Sequence, residues 1–190
     1  MCGRFAFFQE IEPLLDDIGA LDRADPHLAA RYNIPPTTPI YVVTEGGERD
    51  TGTLTRAVRT AYWGLVPRFA KDLSFSAKTF NARRETLVEK PSFRGSLSRY
   101  RALVPMNGYY AEGQLERIHS RMPVFLTPEG RETWLGFESF ATGNDAHTWI
   151  NGSEGQLPAQ ALEAYRVGDD VGNVTNEGAH LIDRQNPTPA

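Results

Sequence analysis

Along this chain, short β-rich runs alternate with short helical stretches and with dense turn signals, and this alternation constrains the fold more than any other sequence feature. β-branched and aromatic residues gather at 40–44, 53–63, 102–104 and 123–126, and each run predicts a strand. Helical patterning covers residues 8–20, with Pro13 in the first turn, then 83–90 and 157–165. Thr127 followed by Pro128 predicts an N-cap and first helical position for a helix running to about Phe140. Residues 26–39 and 143–155 read as loops, and 185–190 as a tail. Strands interleaved with a few short helices predict an α+β fold, one domain over residues 1–184 built on an antiparallel or mixed sheet.

No apolar run reaches the ~20 residues that cross a bilayer, and the N-terminus lacks the pattern of a secretory signal. The reading expects a cytoplasmic monomer that uses no membrane and no small-molecule cofactor. One cysteine, Cys2, excludes an internal disulfide and a multi-cysteine metal site, so no metal is expected. The net charge of -4 is unevenly spread: residues 55–105 carry 11 of the 20 basic residues and 3 of the 24 acidic ones. Two readings fit that excess, a phosphate-binding track or a solvated face whose acids come from distant sequence.

Cys2 follows the initiator methionine and is small enough for the methionine to be removed. The mature chain then begins with an α-amine and a thiol on adjacent carbons. Such a pair condenses with an aldehyde to an imine, and the thiol closes on the imine carbon to give a five-membered thiazolidine. An α-amine titrating near 7.7 to 8.0 keeps a neutral fraction at physiological pH. Taken alone, a second-position cysteine is usually incidental.

Met1-Cys2-Gly3-Arg4-Phe5 does not stand alone. It is followed, in order, by Arg31-Tyr32-Asn33-Ile34-Pro35-Pro36, Trp63-Gly64-Leu65-Val66-Pro67, Phe80-Asn81-Ala82-Arg83-Arg84-Glu85-Thr86 and Ile118-His119-Ser120-Arg121-Met122-Pro123. Together these blocks resemble the SRAP family of abasic-site processing proteins, and Val171-Gly172-Asn173-Val174 resembles that family's final strand. The resemblance implies an SRAP-like open barrel. It also implies a sensor and shield of abasic sites in single-stranded DNA, crosslinked to the lesion through Cys2. The family's assisting asparagine matches Asn81 and its histidine matches His119, a group able to pass protons near neutral pH. His27, His147 and His180 read as ordinary surface histidines.

The family's glutamate has no direct match. In the family the block like Leu103-Val104-Pro105-Met106-Asn107-Gly108-Tyr109-Tyr110 continues straight into the glutamate. Here Tyr110 is followed by Ala111 and then Glu112, with His119 only a few residues on. This reads as a deletion of the glutamate and part of the central sheet. Glu112 is the candidate stand-in, one position late, and one position in a strand turns a side chain to the other face. For DNA the resemblance points to Arg4, Arg83 and Arg121 beside the catalytic positions, to Trp63 and Phe69 as stacking aromatics, and to Pro36 beside the lesion. Two other functions fit the residues: an N-terminal-nucleophile peptidase or amidase, which includes self-removal of Met1, and a non-catalytic single-strand binder.

Overall fold

The computed structural model describes residues 3–47, 53–111, 122–136 and 138–185. Two open sheets and a few short helices make it α+β, as the sequence predicts. The first sheet has three strands in the order β3-β1-β7, where β1 is Phe5–Phe7, β3 Arg31–Ile34 and β7 Gly108–Tyr109. The second has four in the order β2-β5-β4-β6, with β2 Leu21–Arg23, β4 Pro39–Gly47, β5 Leu54–Tyr62 and β6 Ala102–Leu103. β4 and β5 form a nine-residue antiparallel ladder, whereas β2 runs parallel to β5.

The helix α1, Ile11–Ile18, places Ile11, Leu14 and Ile18 on one buried face and stops at Gly19, which takes the left-handed conformation. That face joins Phe5, Phe7, Ile34, Ile40, Tyr41, Val43, Val58 and Leu135 in the core. Each large apolar side chain so buried contributes roughly 1.5–3 kcal/mol.

Several expectations are corrected. Pre-proline sterics split the helix expected at 83–90: Lys90 is held extended before Pro91, so only a 3-10 turn forms at Arg84–Thr86, and α2 starts afresh at Pro91–Leu97. The loop expected at 143–155 contains α4, Gly143–Asn151. A reciprocal cap between Thr142 and Asp145 starts it, and Ala146 and Ile150 are buried on its inner face. The helix expected at 157–165 is only a 3-10 turn at Ala159–Ala161. Pro158 ahead of that turn has no N–H to give.

Residues 123–126 form no strand; Leu126 makes an isolated bridge to Gln156. Gly130 and Gly155 approach there so closely that a Cβ on Gly130 would lie 1.9 Å from the Gly155 carbonyl oxygen. The predicted Thr127 cap and Pro128 start of α3, Pro128–Leu135, are found, although the helix ends before Gly136 rather than at Phe140. Residues 26–38 are loop except for β3, Pro39 already opens β4, and the extreme tail, 186–190, lies outside the described residues.

Arg101 holds the short elements together. Its buried guanidinium donates to the carbonyls of Leu97 and Ser98 at the end of α2, and to those of Trp134 and Gly136 at the end of α3. It also lies 4.9 Å from the Phe140 ring centroid. Two helix ends are thus satisfied by one cation. Lysine cannot reproduce that planar fork. Arg101→Lys is expected to lower stability by about 2 kcal/mol, read as a lower urea midpoint at unchanged slope; an unmoved midpoint would remove Arg101 from the structural framework.

Candidate active site

Strand β1 pairs on both edges, Phe5 opposite Ile34 on one side and Tyr109 on the other. The residues just before it therefore emerge between the end of β3 and the end of β7. Arg4 stands there half-buried, its carbonyl accepting from the Tyr110 N–H at 3.0 Å and its guanidinium donating to the Val171 carbonyl. Beyond Ile34, Pro35 and Pro36 lead into a turn in which Thr37 takes a left-handed φ of 63°. A β-branched residue there is strained. The turn is held by the Thr38 hydroxyl on the Pro35 carbonyl at 2.8 Å and by paired backbone bonds, both 2.9 Å, between 37–38 and Trp63.

Trp63 joins this turn to the Asn81 segment. Its ring meets Phe5 edge-on at 5.0 Å and Phe80 at 5.9 Å, and its indole N–H donates to the Phe80 carbonyl at 3.0 Å. Gly64 follows with φ 140° and passes so close to Ser76 that a Cβ would lie 2.6 Å from its carbonyl oxygen. That approach folds the loop back toward Thr79 and Phe80. Asn81, half-buried, is thereby carried to the neighbourhood of the strand that starts at Phe5. In this position Trp63 is a brace, half-buried against the core.

Trp63 thus touches Phe5, Phe80 and the turn at 37–38, the sequence neighbours of Arg4, Asn81 and Pro36. Arg83 lies two residues beyond Asn81 and is exposed. Phe69 is 59% exposed and meets Phe75 edge-on at 5.6 Å. Cys2, Glu112, His119 and Arg121 lie outside the described residues. The segment 171–174, expected as a strand, is a 3-10 turn at Asp169–Gly172 followed by a bend, its Val171 and Asn173 carbonyls bound by the side chains of Arg4, just before β1, and of Asn33 in β3.

Sequence reasoning passed over Asn33, Tyr110 and Glu177. The Tyr110 hydroxyl donates to the Tyr32 carbonyl at 2.6 Å, tying β7 to β3 across β1. Burial pushes its pKa up to about 12, with Tyr165 and Glu177 adding and Arg4 opposing. The signal available was position alone, since Asn33 and Tyr110 lie inside the blocks quoted above.

Among the described residues no three His, Cys, Asp or Glu side chains group to hold a metal ion, and no helix is long and apolar enough to cross a membrane. Of the basic residues between 55 and 105, Arg59, Arg68, Lys71, Lys78, Arg83, Arg84, Lys90, Arg94 and Arg99 are exposed, Arg84 beside Glu85 at 3.6 Å. Arg56 is bound to Glu45 and Glu132, and Arg101 is internal.

A chain whose first strand is threaded through the middle of a small sheet, with an arginine, a proline turn and an asparagine loop around its start, has recognisable relatives. The family model for SOS response associated peptidase, SRAP, matches residues 1–112 and 111–174, and the chain belongs to this family. It is 27% identical over 236 aligned positions to the abasic site processing protein YoqW of Bacillus subtilis, covering 96% of this chain and 99% of that one. To YedK of Escherichia coli, an abasic site processing protein, it is 26% identical over 233 positions, with 96% and 99% coverage. Both alignments are longer than the chain's 190 residues. The relatives therefore carry residues that this chain lacks, and the family match breaks at 111–112, where the glutamate was expected. A solved structure of a protein from Bacteroides thetaiotaomicron superposes with a TM-score of 0.67 at 16% identity, covering 97% of this chain and all of that one, and supports the fold.

The Tyr110 phenol gives a pH test. Its folded pKa lies above the unfolded value near 10, so folding favours the protonated form. That contribution is complete below about pH 10 and is lost as pH rises through about 12. Phenolate absorbance is expected to show a tyrosine ionising near 12, and Tyr110→Phe to remove that step. If the step survives the substitution, the raised phenol is not Tyr110.

Proposed function

We propose that this chain senses and shields abasic sites in single-stranded DNA and becomes covalently joined to them through mature Cys2. The observation that carries the reading is the family match that starts at Met1-Cys2 and spans most of the chain, with relatives named for abasic-site processing. The chemistry of the first two atoms available to an aldehyde agrees with it. Ring-opened deoxyribose presents an aldehyde carbon. The Cys2 amine adds to it, water leaves, and an imine forms. The thiolate then bonds to the imine carbon, the nitrogen takes up a proton, and the product is a thiazolidine.

In this reading Asn81 orients the amine or the sugar by hydrogen bonding without titrating. His119 donates a proton to the sugar oxygen as the ring opens and exchanges protons with the imine. Glu112 is the carboxylate nearest the missing family glutamate. Because condensation of an amino-thiol with an aldehyde is favourable unaided, crosslinking tolerates its loss better than reversal does. Arg4, Arg83 and Arg121 contact phosphates flanking the lesion, and exposed Phe69 stacks on a base, a contact worth ~1–3 kcal/mol. The protein works as a cytoplasmic monomer in this proposal, associated with the nucleoid when bound to DNA.

The family's designation as a peptidase favours one second reading, in which Cys2 attacks a carbonyl with His119 as base and removes Met1. One experiment separates the two. Met-free protein incubated with an abasic single-stranded oligonucleotide is expected to give a heat-stable adduct that Cys2→Ala abolishes. Cys2→Ser is expected to keep imine formation, trapped by borohydride, and to lose the stable ring. Hydrolysis of peptides with no adduct would favour the peptidase. Affinity for undamaged single strands should fall with salt, each neutralised phosphate adding roughly -0.7 to the log–log slope. Arg83→Ala is expected to make that slope shallower, whereas a salt-independent affinity would leave the exposed cations as a solvated face.

A further inference from the structure

Asn33 is the fully enclosed polar residue of β3, at 0% exposure. Its amide nitrogen faces three main-chain carbonyls, those of Asn173 at 3.0 Å, Asn176 at 3.1 Å and Val171 at 3.4 Å. Three acceptors around one NH2 settle which end of the amide is nitrogen. The other end, Oδ1, is buried and has no hydrogen-bond partner among the described residues. An unpaired buried acceptor forfeits its hydration with nothing in return. Filling space is therefore a poor reason for an asparagine here, because an apolar side chain of similar size would avoid that cost.

What the amide secures is the 171–176 segment, and that segment in turn holds Arg4. The Arg4 guanidinium donates to the Val171 carbonyl, one of the three that Asn33 faces. The same segment is fastened from outside by Glu177, whose carboxylate accepts from the main-chain N–H groups of Tyr32 and Gly178 and lies 3.6 Å from the Arg31 guanidinium. The direction of the cation two residues beyond Cys2 is thus set by a carbonyl whose own place is set by Asn33.

We propose that Asn33 is a positioning residue for crosslinking, acting through the Val171 carbonyl to aim Arg4 at the phosphate beside the abasic sugar. The proposal rests on the abasic-site reading above. A reacting group displaced by about 1 Å can lose on the order of a hundredfold in rate. A misdirected Arg4 therefore shows in the maximal rate of adduct formation more than in the amount of DNA bound, since the other cations still hold the strand.

The test uses the full, Met-free chain carrying Asn33→Leu, Asn33→Asp or Glu177→Ala. Adduct formation is followed against the concentration of an abasic single-stranded oligonucleotide. In parallel, condensation of Cys2 with propionaldehyde is read by intact mass, and amide hydrogen exchange is read over 171–176. Both Asn33 variants are expected to lower the maximal adduct rate about tenfold or more. The half-saturating DNA concentration and the propionaldehyde rate should change little. Glu177→Ala, at an exposed position, should speed exchange over 171–176 and lower the adduct rate in the same direction by a smaller factor.

Asn33→Leu crosslinking at the parental rate overturns the proposal, and so does a propionaldehyde rate that falls in step with the DNA rate. Should both Asn33 variants fail to fold, Glu177→Ala decides: faster exchange with an unchanged adduct rate overturns it. A parent that condenses with propionaldehyde but never with abasic DNA fails earlier, at the abasic-site reading, and the Asn33 proposal falls with it.

Discussion

Everything at the candidate site depends on β1 being paired on both of its edges. Three residues, Phe5, Ala6 and Phe7, are each no more than 6% exposed, and their backbone is divided between β3 and β7. A central strand this short holds its register only if its side chains do, because a slip of one residue exchanges the two faces. Phe5 against Trp63 and Phe7 against Tyr41 supply that lock, each ring meeting its partner edge-on. With the register fixed, Gly3 and Arg4 have nowhere to go but the gap between the Pro35–Pro36 turn and Tyr110. The burial that stabilises β1 is thus also what presents the start of the chain.

The parts legible in the sequence are those whose signal is local. Thr127-Pro128 announces α3, the β-branched content of 40–44 and 53–63 announces the long hairpin of β4 and β5, and Ile11, Leu14 and Ile18 announce the buried face of α1. β1 and β3 were not announced, since runs of three and four residues are too short to show a period. α4 was hidden by its glycine and asparagine content, although the Thr142 and Asp145 spacing was a readable cap. At the site, Arg4, Asn81 and Trp63 could be named from their motifs. Asn33 and Tyr110 could not, because their roles come from carbonyls of Asn173 and Tyr32 that only the tertiary fold brings to them.

The second sheet is thinly covered along one edge. β6 pairs with β4 over only two positions, Val43 with Leu103 and Thr44 with Ala102, while β4 itself is nine residues long. Most of that edge of β4 is therefore not covered by β6, a situation that favours unwanted strand pairing. Glu45 answers part of it, placing a carboxylate on β4 where Arg56 of β5 bonds it at 2.9 Å, and Arg56 also reaches Glu132 of α3 at 2.6 Å. Those contacts hold the Glu132 carboxyl below its ordinary range and raise the Arg56 guanidinium further. A charged cluster where a strand ends does what a longer strand does elsewhere: it joins the sheet to the next layer without an apolar edge.

The basic stretch between 55 and 105 shows why a charge count along a sequence misjudges a surface. Arg56 spends its charge on acids from residues 45 and 132, which is the solvated-face reading realised at one position. Arg101 spends its charge on four carbonyls and a pair of aromatic rings, where burial pulls its pKa down. Neither can reach a phosphate without dismantling α2, α3 or the hairpin that it holds. The cations on the 68–99 segment differ: they lie on loops, short turns and the outer face of α2, exposed, with side chains that neutralise a ligand at little structural cost. The sequence excess is thus a mixture of two populations of cation, one holding the fold together and one available to a polyanion. Burial and bonding distinguish them: Arg56 and Arg101, the first and last of the run, are held, and the exposed cations lie between.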